Sequence, residues 1–295
     1  MSTNIYLIIG GAVYNVNNGT PFLITEWSGL GALPRERLVQ SGPLQDGDTD
    51  LGWRGRARLF EMEFTAINAG VTGRMSNRRT LMRYLAPQNS VSVRFDFDGD
   101  VYQIDAQPLS DGETIRSRDV HCLTGVPTRW KAADPTFYDP AGVAVSFNLG
   151  GGGDALVIPM TVPMVVGAST LYQSVAVSYA GDVKAYPSLI RITGPITNCV
   201  ITNETTGEKL DFTGTTIAGG TYYDIDLRYA NKTVVDSAGA SQIATLTDDS
   251  NLATFHIAPS VNGAPTRSNS FRVTGSSVTA ATDVQMAYFT RYSGI

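Results

Sequence analysis

Apolar and polar positions alternate through most of the chain. In Arg58–Ala66, Phe60, Met62 and Phe64 alternate with Leu59, Glu61, Glu63 and Thr65. In Val91–Asp98, Val93, Phe95 and Phe97 alternate with Ser92, Arg94 and Asp96. Further on, Tyr223, Ile225, Leu227 and Tyr229 alternate with Asp224, Asp226 and Arg228. A period of two sends one set of side chains to a core and the other to solvent, so each run reads as a half-buried strand. Asp98-Gly99, between Phe97 and Val101, predicts a tight hairpin, and Thr206-Gly207 turns Cys199–Asn203 back into Lys209–Phe212. One segment departs from this pattern. Its spacing predicts a helix over 76–86, with Leu81, Met82 and Leu85 on one face beside Met75 and with Arg78, Arg79 and Arg83 opposite. Ser76 or Asn77 would cap its start and Pro87 would stop it. Elsewhere short strands recur at roughly ten-residue spacing, the signature of β-sandwiches rather than βαβ units.

A break falls at Asp134-Pro135-Thr136-Phe137-Tyr138-Asp139-Pro140, where two prolines disfavour both helix and central strand. Gly150 to Gly153 then read as a flexible loop. The expected division is 1–134, a β-domain carrying the helix, and 135–295, a second β-sandwich; 295 residues suit two domains of about 150 each. Composition adds a hint of assembly. Charged residues make up 17% of the chain, below the ~25% of an ordinary soluble protein. A net charge of −5 argues against a nucleic-acid binder that works through phosphate contacts. There are 18 Arg against 4 Lys, and 13 of the Arg precede residue 130. Arg is favoured at interfaces because its planar fork makes several fixed hydrogen bonds, although a GC-rich genome produces the same swap. Arg78, Arg79 and Arg83 are therefore a candidate protein interface, with a solvated helix face as the alternative.

Catalytic chemistry is harder to find. Cys122 and Cys199 form no CxxC and, with only His121 and His256 available, make no metal-ligand spacing; both read as buried free thiols. Asp224 and Asp226 share a strand face about 7 Å apart, a separation that would suit an inverting glycosidase, but a solvated strand face explains them more simply. Asp96, Asp98 and Asp100 resemble a calcium loop, yet glycine comes at the fourth position instead of the sixth and no Glu follows at the twelfth. The expectation is no enzyme, no cofactor and no metal. The longest apolar tract, Val157–Ala168, is broken by Pro159 and Pro163, so no membrane insertion is expected.

The punctuation of the chain resembles the distal tail proteins of bacteriophages with long non-contractile tails, from about Trp27 to Tyr292. In the first half the resemblance rests on Gly52-Trp53-Arg54-Gly55-Arg56, the strand opening on Arg58, Arg78-Arg79-Thr80-Leu81 through Leu85-Ala86-Pro87, and the junction Asp134-Pro135-Thr136-Phe137-Tyr138. In the second half it rests on Gly181, Tyr186-Pro187, Ile190, Ile192 and Gly194-Pro195. It continues through Asn198, Asn203, Thr205-Thr206-Gly207, Gly220 and Tyr223 to Asp226, then Ser250, Leu252, Phe255, Ile257 and Pro259. Ser260 stands where the family has glycine, and Asn269 arrives late, after an insertion at 261–268.

The resemblance implies an N-terminal tube-like β-domain with one helix and a hairpin arm, followed by a galectin-like β-sandwich. It implies a structural virion protein made in the bacterial host cytoplasm. There it would form a homohexameric ring at the distal end of the tail, between tail tube protein and tail-tip hub, open for DNA to pass. Tape-measure and receptor-binding or fibre proteins are further partners it suggests. The alternative from another class is a carbohydrate-binding module of the tail. Against it, Trp27, Trp53 and Trp130 all precede the boundary, and His256 is followed by Ile257, Ala258 and Pro259 rather than the Asn and Arg of a galectin sugar strand.

Overall fold

Strand Arg58–Ala66 buries Arg58, Phe60, Met62, Phe64 and Ala66, as its alternation predicts. The computed structural model describes residues 3–44, 46–67, 70–109, 126–149 and 171–295. The chain is mainly β and falls into two compact units, one of residues 1–140 with 292–295, the other of residues 141–291.

In the first unit the elements are β1 (Thr3–Ile9), β2 (Ala12–Asn15), β3 (Phe22–Ser28), β4 (Arg35–Gln40), β5 (Thr49–Gly55), β6 (Arg58–Ala66), α1 (Val71–Tyr84), β7 (Val91–Phe97), β8 (Asp100–Leu109), β9 (Val126–Ala132) and β10 (Phe137–Tyr138). The main sheet runs β2-β1-β7-β8-β9-β6-β3, every neighbouring pair antiparallel. Strand β8 is shared: Asp100–Ala106 pairs with β7 and Gln107–Leu109 with β9. The inward residues join one core that includes Leu7, Phe22, Phe60, Val93, Phe95, Trp130 and Phe137. The proline-bearing stretch 134–140 therefore contributes core to this unit through Phe137. The turn between β7 and β8 sits at Asp98-Gly99, both at positive φ, so the acidic triplet there is a hairpin. Strands β4 and β5 pair only with each other and form a separate hairpin. The glycine-bearing segment 52–56 is thus mostly strand, not loop, because Arg37 and Glu36 pair with Trp53 and Arg54.

The helix differs from its expected form at both ends. It begins at Val71, five residues before Ser76, and ends at Tyr84. The Arg74 amide bonds to the Gly70 carbonyl at 3.1 Å, so the first turn forms with glycine at the cap position and needs no Ser or Asn side chain. Asn77 instead donates to the Ile67 carbonyl at 3.2 Å and ties the helix to the end of β6. Asn89 closes the other end by donating to the carbonyls of Arg83 at 2.7 Å and Tyr84 at 3.3 Å.

The second unit has two five-stranded antiparallel sheets over one core. Its strands are β11 (Val143–Asn148), β12 (Leu171–Tyr179), β13 (Leu189–Thr193), β14 (Ile196–Asn203), β15 (Glu208–Asp211), β16 (Thr216–Ile217), β17 (Tyr222–Asp226), β18 (Thr233–Asp236), β19 (Arg267–Ser276) and β20 (Asp283–Tyr288). One sheet is ordered β11-β20-β13-β17-β18; the other is β12-β19-β14-β15, with β16 also on β14. Ile190, Ile192, Ile225 and Met286 of the first meet Val177, Ile201, Phe271 and Val273 of the second, and the rings of Phe147 and Phe271 touch edge to face across the core. Tyr229 does not continue β17. Asp226 accepts hydrogen bonds from Arg228 and Asn231, which turns the chain, and Tyr229 is left exposed.

Cys199 lies in this core, 1% exposed, and burial pushes its thiol up to about 12, with Asp211 adding to the shift. Cys122, His121 and the expected glycine loop at 150–153 lie outside the described residues. A thiol so protonated and enclosed does not react at neutral pH. We expect native protein treated with iodoacetamide to leave Cys199 unmodified, while denaturant without reductant exposes both cysteines to alkylation. Peptide mass mapping reads this out, and labelling of Cys199 in the native state would refute it.

Candidate functional site

Turns of 3.6 residues place Met75, Arg78, Arg79, Met82 and Arg83 on one face of α1, and these five side chains line an open depression of about 340 Å³. Leu81 is the side chain that enters the core, with Tyr84 and Leu85 packed beside it. This corrects the expected partition: Met75 and Met82 belong with the arginines, not with Leu81. The apolar-versus-charged reading failed because two residues of the same hydrophobic class occupy opposite faces, and the angular position separates them. Met75 and Met82 are each 38% exposed. Among the described residues, Arg78, Arg79 and Arg83 have no ion-pair partner.

The β4–β5 hairpin is the second unusual surface. Leu38, Val39, Leu44, Leu51 and Trp53 are all exposed on it. Ion pairs run between its strands from Arg37 to Asp50, from Arg54 to Glu36 at 2.8 Å and from Arg56 to Glu36 at 3.3 Å, and Arg35 lies over the Trp53 ring at 4.7 Å. The Arg54 hydrogen bond holds the Glu36 carboxyl below the usual range. These exposed pairs fix the register rather than contribute much stability. Of these apolar residues the sequence reading named only Trp53, as part of the 52–56 segment.

Arg58 is the third feature, also missed as a structural centre. It is fully buried, and its guanidinium donates to four backbone carbonyls: Pro135 at 2.8 Å, Gly29 at 2.8 Å, Gly31 at 2.8 Å and Ser293 at 2.6 Å. It also lies over the Phe137 ring at 4.9 Å. Burial lowers its pKa from the ordinary arginine value, but the group stays charged at neutral pH. The signal was present in the sequence: Arg58 has the same parity as Phe60, Met62 and Phe64, so the alternation points it inward.

The carboxylates considered for catalysis are held in ion pairs. Arg191 grips Asp224 with two hydrogen bonds of 2.7 Å each and lies over the Tyr222 ring, while Arg228 and Asn231 bind Asp226. Paired in this way, neither carboxylate is placed as a general acid. His256 is nearly buried, its Nδ1 2.8 Å from the Thr254 carbonyl and 2.9 Å from a Glu208 carboxylate oxygen, which is a packing arrangement. No group of three or more metal-binding side chains occurs among the described residues, and no described helix is long and apolar enough to cross a membrane.

No protein-family model matches the chain, and no curated protein sequence is significantly similar to it. Among solved structures, the crystal structure of the Dit protein of phage SPP1 aligns over 97% of this chain and 98% of its own, at 13% identity and a TM-score of 0.62. The chain has the Dit fold. The SPP1 protein is described as a paradigm of the hub adsorption apparatus in phages infecting Gram-positive bacteria. Two structures of the phage P2 baseplate in its activated conformation, with calcium and with strontium, each align over 97% of this chain and 98% of theirs, at 9% identity and a TM-score of 0.47.

Two glycines that carried the resemblance sit where no side chain fits. A Cβ on Gly181 would sit 2.2 Å from the Tyr179 hydroxyl, and one on Gly194 would sit 2.3 Å from the Ala218 carbonyl, so only glycine fits at either place. The Tyr179 hydroxyl itself donates to Val183 at 2.7 Å and accepts from the Arg291 amide at 3.0 Å.

Proposed function

We propose that this protein is a structural component of a phage tail tip. In this reading it forms a homohexameric ring at the distal end of the tail, between the tail tube and the hub of the adsorption apparatus, and DNA passes through the opening. It acts without catalysis or cofactor. Its other partners are the tail tube and hub proteins, with tape-measure and fibre proteins further out. The division into a ring-forming domain, expected as 1–134, and a galectin-like domain, expected as 135–295, belongs to the same reading, with 135–140 and 292–295 joining the first. The SPP1 Dit fold over nearly the whole chain supports it.

The observation that carries the ring is the β4–β5 hairpin. A two-stranded ribbon by itself is marginally stable in water, and this one exposes Leu38, Val39, Leu44, Leu51 and Trp53. In this reading neighbouring copies cover it. A rotationally repeated head-to-tail contact closes a ring with a central opening, which an isologous dimer does not.

Native mass spectrometry of the purified protein and symmetry analysis of intact tails test the proposal. Hexamers, lost when the hairpin between Pro34 and Arg56 is replaced by a short Gly-Ser link, are the expected result. A chain that is monomeric in solution and missing from tails would overturn it.

A further inference from the structure

The main sheet of the first unit has a charge polarity along its strands. Helix α1 connects the end of β6 to the start of β7. The register of β6 with β9, β9 with β8 and β8 with β7 sets Val91 level with Arg58 at the start of β6 and Ala66 eight positions further on, so the helix joins them on the end of the sheet away from the β7–β8 turn. The Met75–Arg83 face is therefore held at that end, tied down by Asn77 and Asn89. The β7–β8 turn lies at the other end of β7, roughly 20 Å away along a seven-residue strand. That turn presents Asp96, Asp98 and Asp100 around Gly99, with Asp98 and Asp100 exposed. Asp96 accepts a hydrogen bond from the Gly99 amide at 3.4 Å, and no described ion pair involves any of the three. Arginines at one end and carboxylates at the other are too far apart to meet within one copy.

We infer that the Met75–Arg78–Arg79–Met82–Arg83 face of one copy docks on the Asp96–Asp100 hairpin tip of the next copy in the ring. This rests on the ring reading above and names its contact. Two complementary patches at opposite ends of one body make a heterologous contact, the kind that repeats by rotation. The guanidiniums offer charge-assisted hydrogen bonds to the carboxylates. The two methionines supply unbranched, adaptable apolar surface beside them, matched on the hairpin by the half-buried Val101 opposite Asp96.

Two charge-reversed chains test the contact. One carries Arg78→Glu, Arg79→Glu and Arg83→Glu; the other carries Asp96→Lys and Asp100→Lys with Asp98→Asn. Asn is chosen at position 98 because its φ of +54° suits Asp or Asn better than Lys. Arg79, Arg83, Asp98 and Asp100 are exposed and Arg78 and Asp96 half-buried, so thermal midpoints should stay close to the parent's. Each variant alone has like charges on both docking patches, and its ring fraction should fall by roughly tenfold or more at fixed concentration. Mixed one to one, the patches become complementary at every contact if the two chains alternate. Rings should then return with equal numbers of the two variants, resolved by mass. Wild-type rings should also loosen as salt rises.

Wild-type-like rings from either variant alone, or a mixture that fails to reassemble, overturn the docking contact while leaving the ring itself standing. Wild-type protein that forms no ring in solution or in tails overturns both.

Discussion

Arg58→Lys unfolds the first unit at markedly lower urea than the parent and leaves the second unit's transition where it was. Four backbone carbonyls converge on the Arg58 guanidinium from Gly29, Gly31, Pro135 and Ser293. Lysine offers three donors from a single point and cannot span that fan of acceptors, so at least one buried carbonyl loses its partner and the charge loses most of its solvation. Arg58→Met removes the charge but abandons all four acceptors. Breaking a buried charged network from one side costs about 3–5 kcal/mol. Tryptophan fluorescence isolates the effect, because Trp27, Trp53 and Trp130 all lie in the first unit and Trp130 is fully buried there. A lysine variant with the parent's fluorescence midpoint would show that the carbonyl cluster does not depend on the fork.

The mirror experiment is Asn269→Ala. Asn269 is fully buried in β19 and uses its side-chain amide as a substitute peptide. Its oxygen accepts from the Ala258 amide at 2.8 Å and its nitrogen donates to the Ala258 carbonyl at 3.0 Å. Alanine leaves both Ala258 groups buried and unpaired, at about 1–3 kcal/mol each. The second unit should lose about 2–6 kcal/mol, read as faster amide exchange in β14 and β19, with the tryptophan transition unmoved. Unchanged exchange there would mean that water or a backbone shift replaces the asparagine.

Most strands were legible because each inward face is apolar and each outward face is not. The turns at Asp98-Gly99 and Thr206-Gly207 were legible for the same local reason: they demand positive φ, which few residues accept. Where the reading went wrong, the deciding partner was distant in sequence or absent from it. Helix α1 starts at Val71 behind Gly70, with no capping side chain to mark it, and its Met75 and Met82 look like core until the wheel is drawn. The exposed hairpin residues carry no local signature at all, since exposure is a property of what fails to pack on them. Arg58 is the intermediate case: its inward parity was visible, but the carbonyls that receive it come from residues 29 to 293 and could not be paired from spacing alone. Among the residues on which the resemblance to tail proteins rested, Gly181, Gly194 and Asn203 are packing or turn residues. Such a motif reports the fold and is silent about which surface meets a partner.

The last four residues belong to the first unit, although the whole second unit separates them from the rest of it. Ser293 supplies one of the four acceptors of Arg58, and the Ile295 amide bonds to the Leu30 carbonyl at 3.1 Å. During synthesis, then, the first unit remains unfinished while residues 141–291 are made, and it closes only when residues 292–295 have left the ribosome. A chain cut short anywhere in the second unit carries an open Arg58 site and an incomplete first unit. Completion of the first unit is thereby tied to the arrival of residues 292–295, and a copy cut short before them is marked by its own instability.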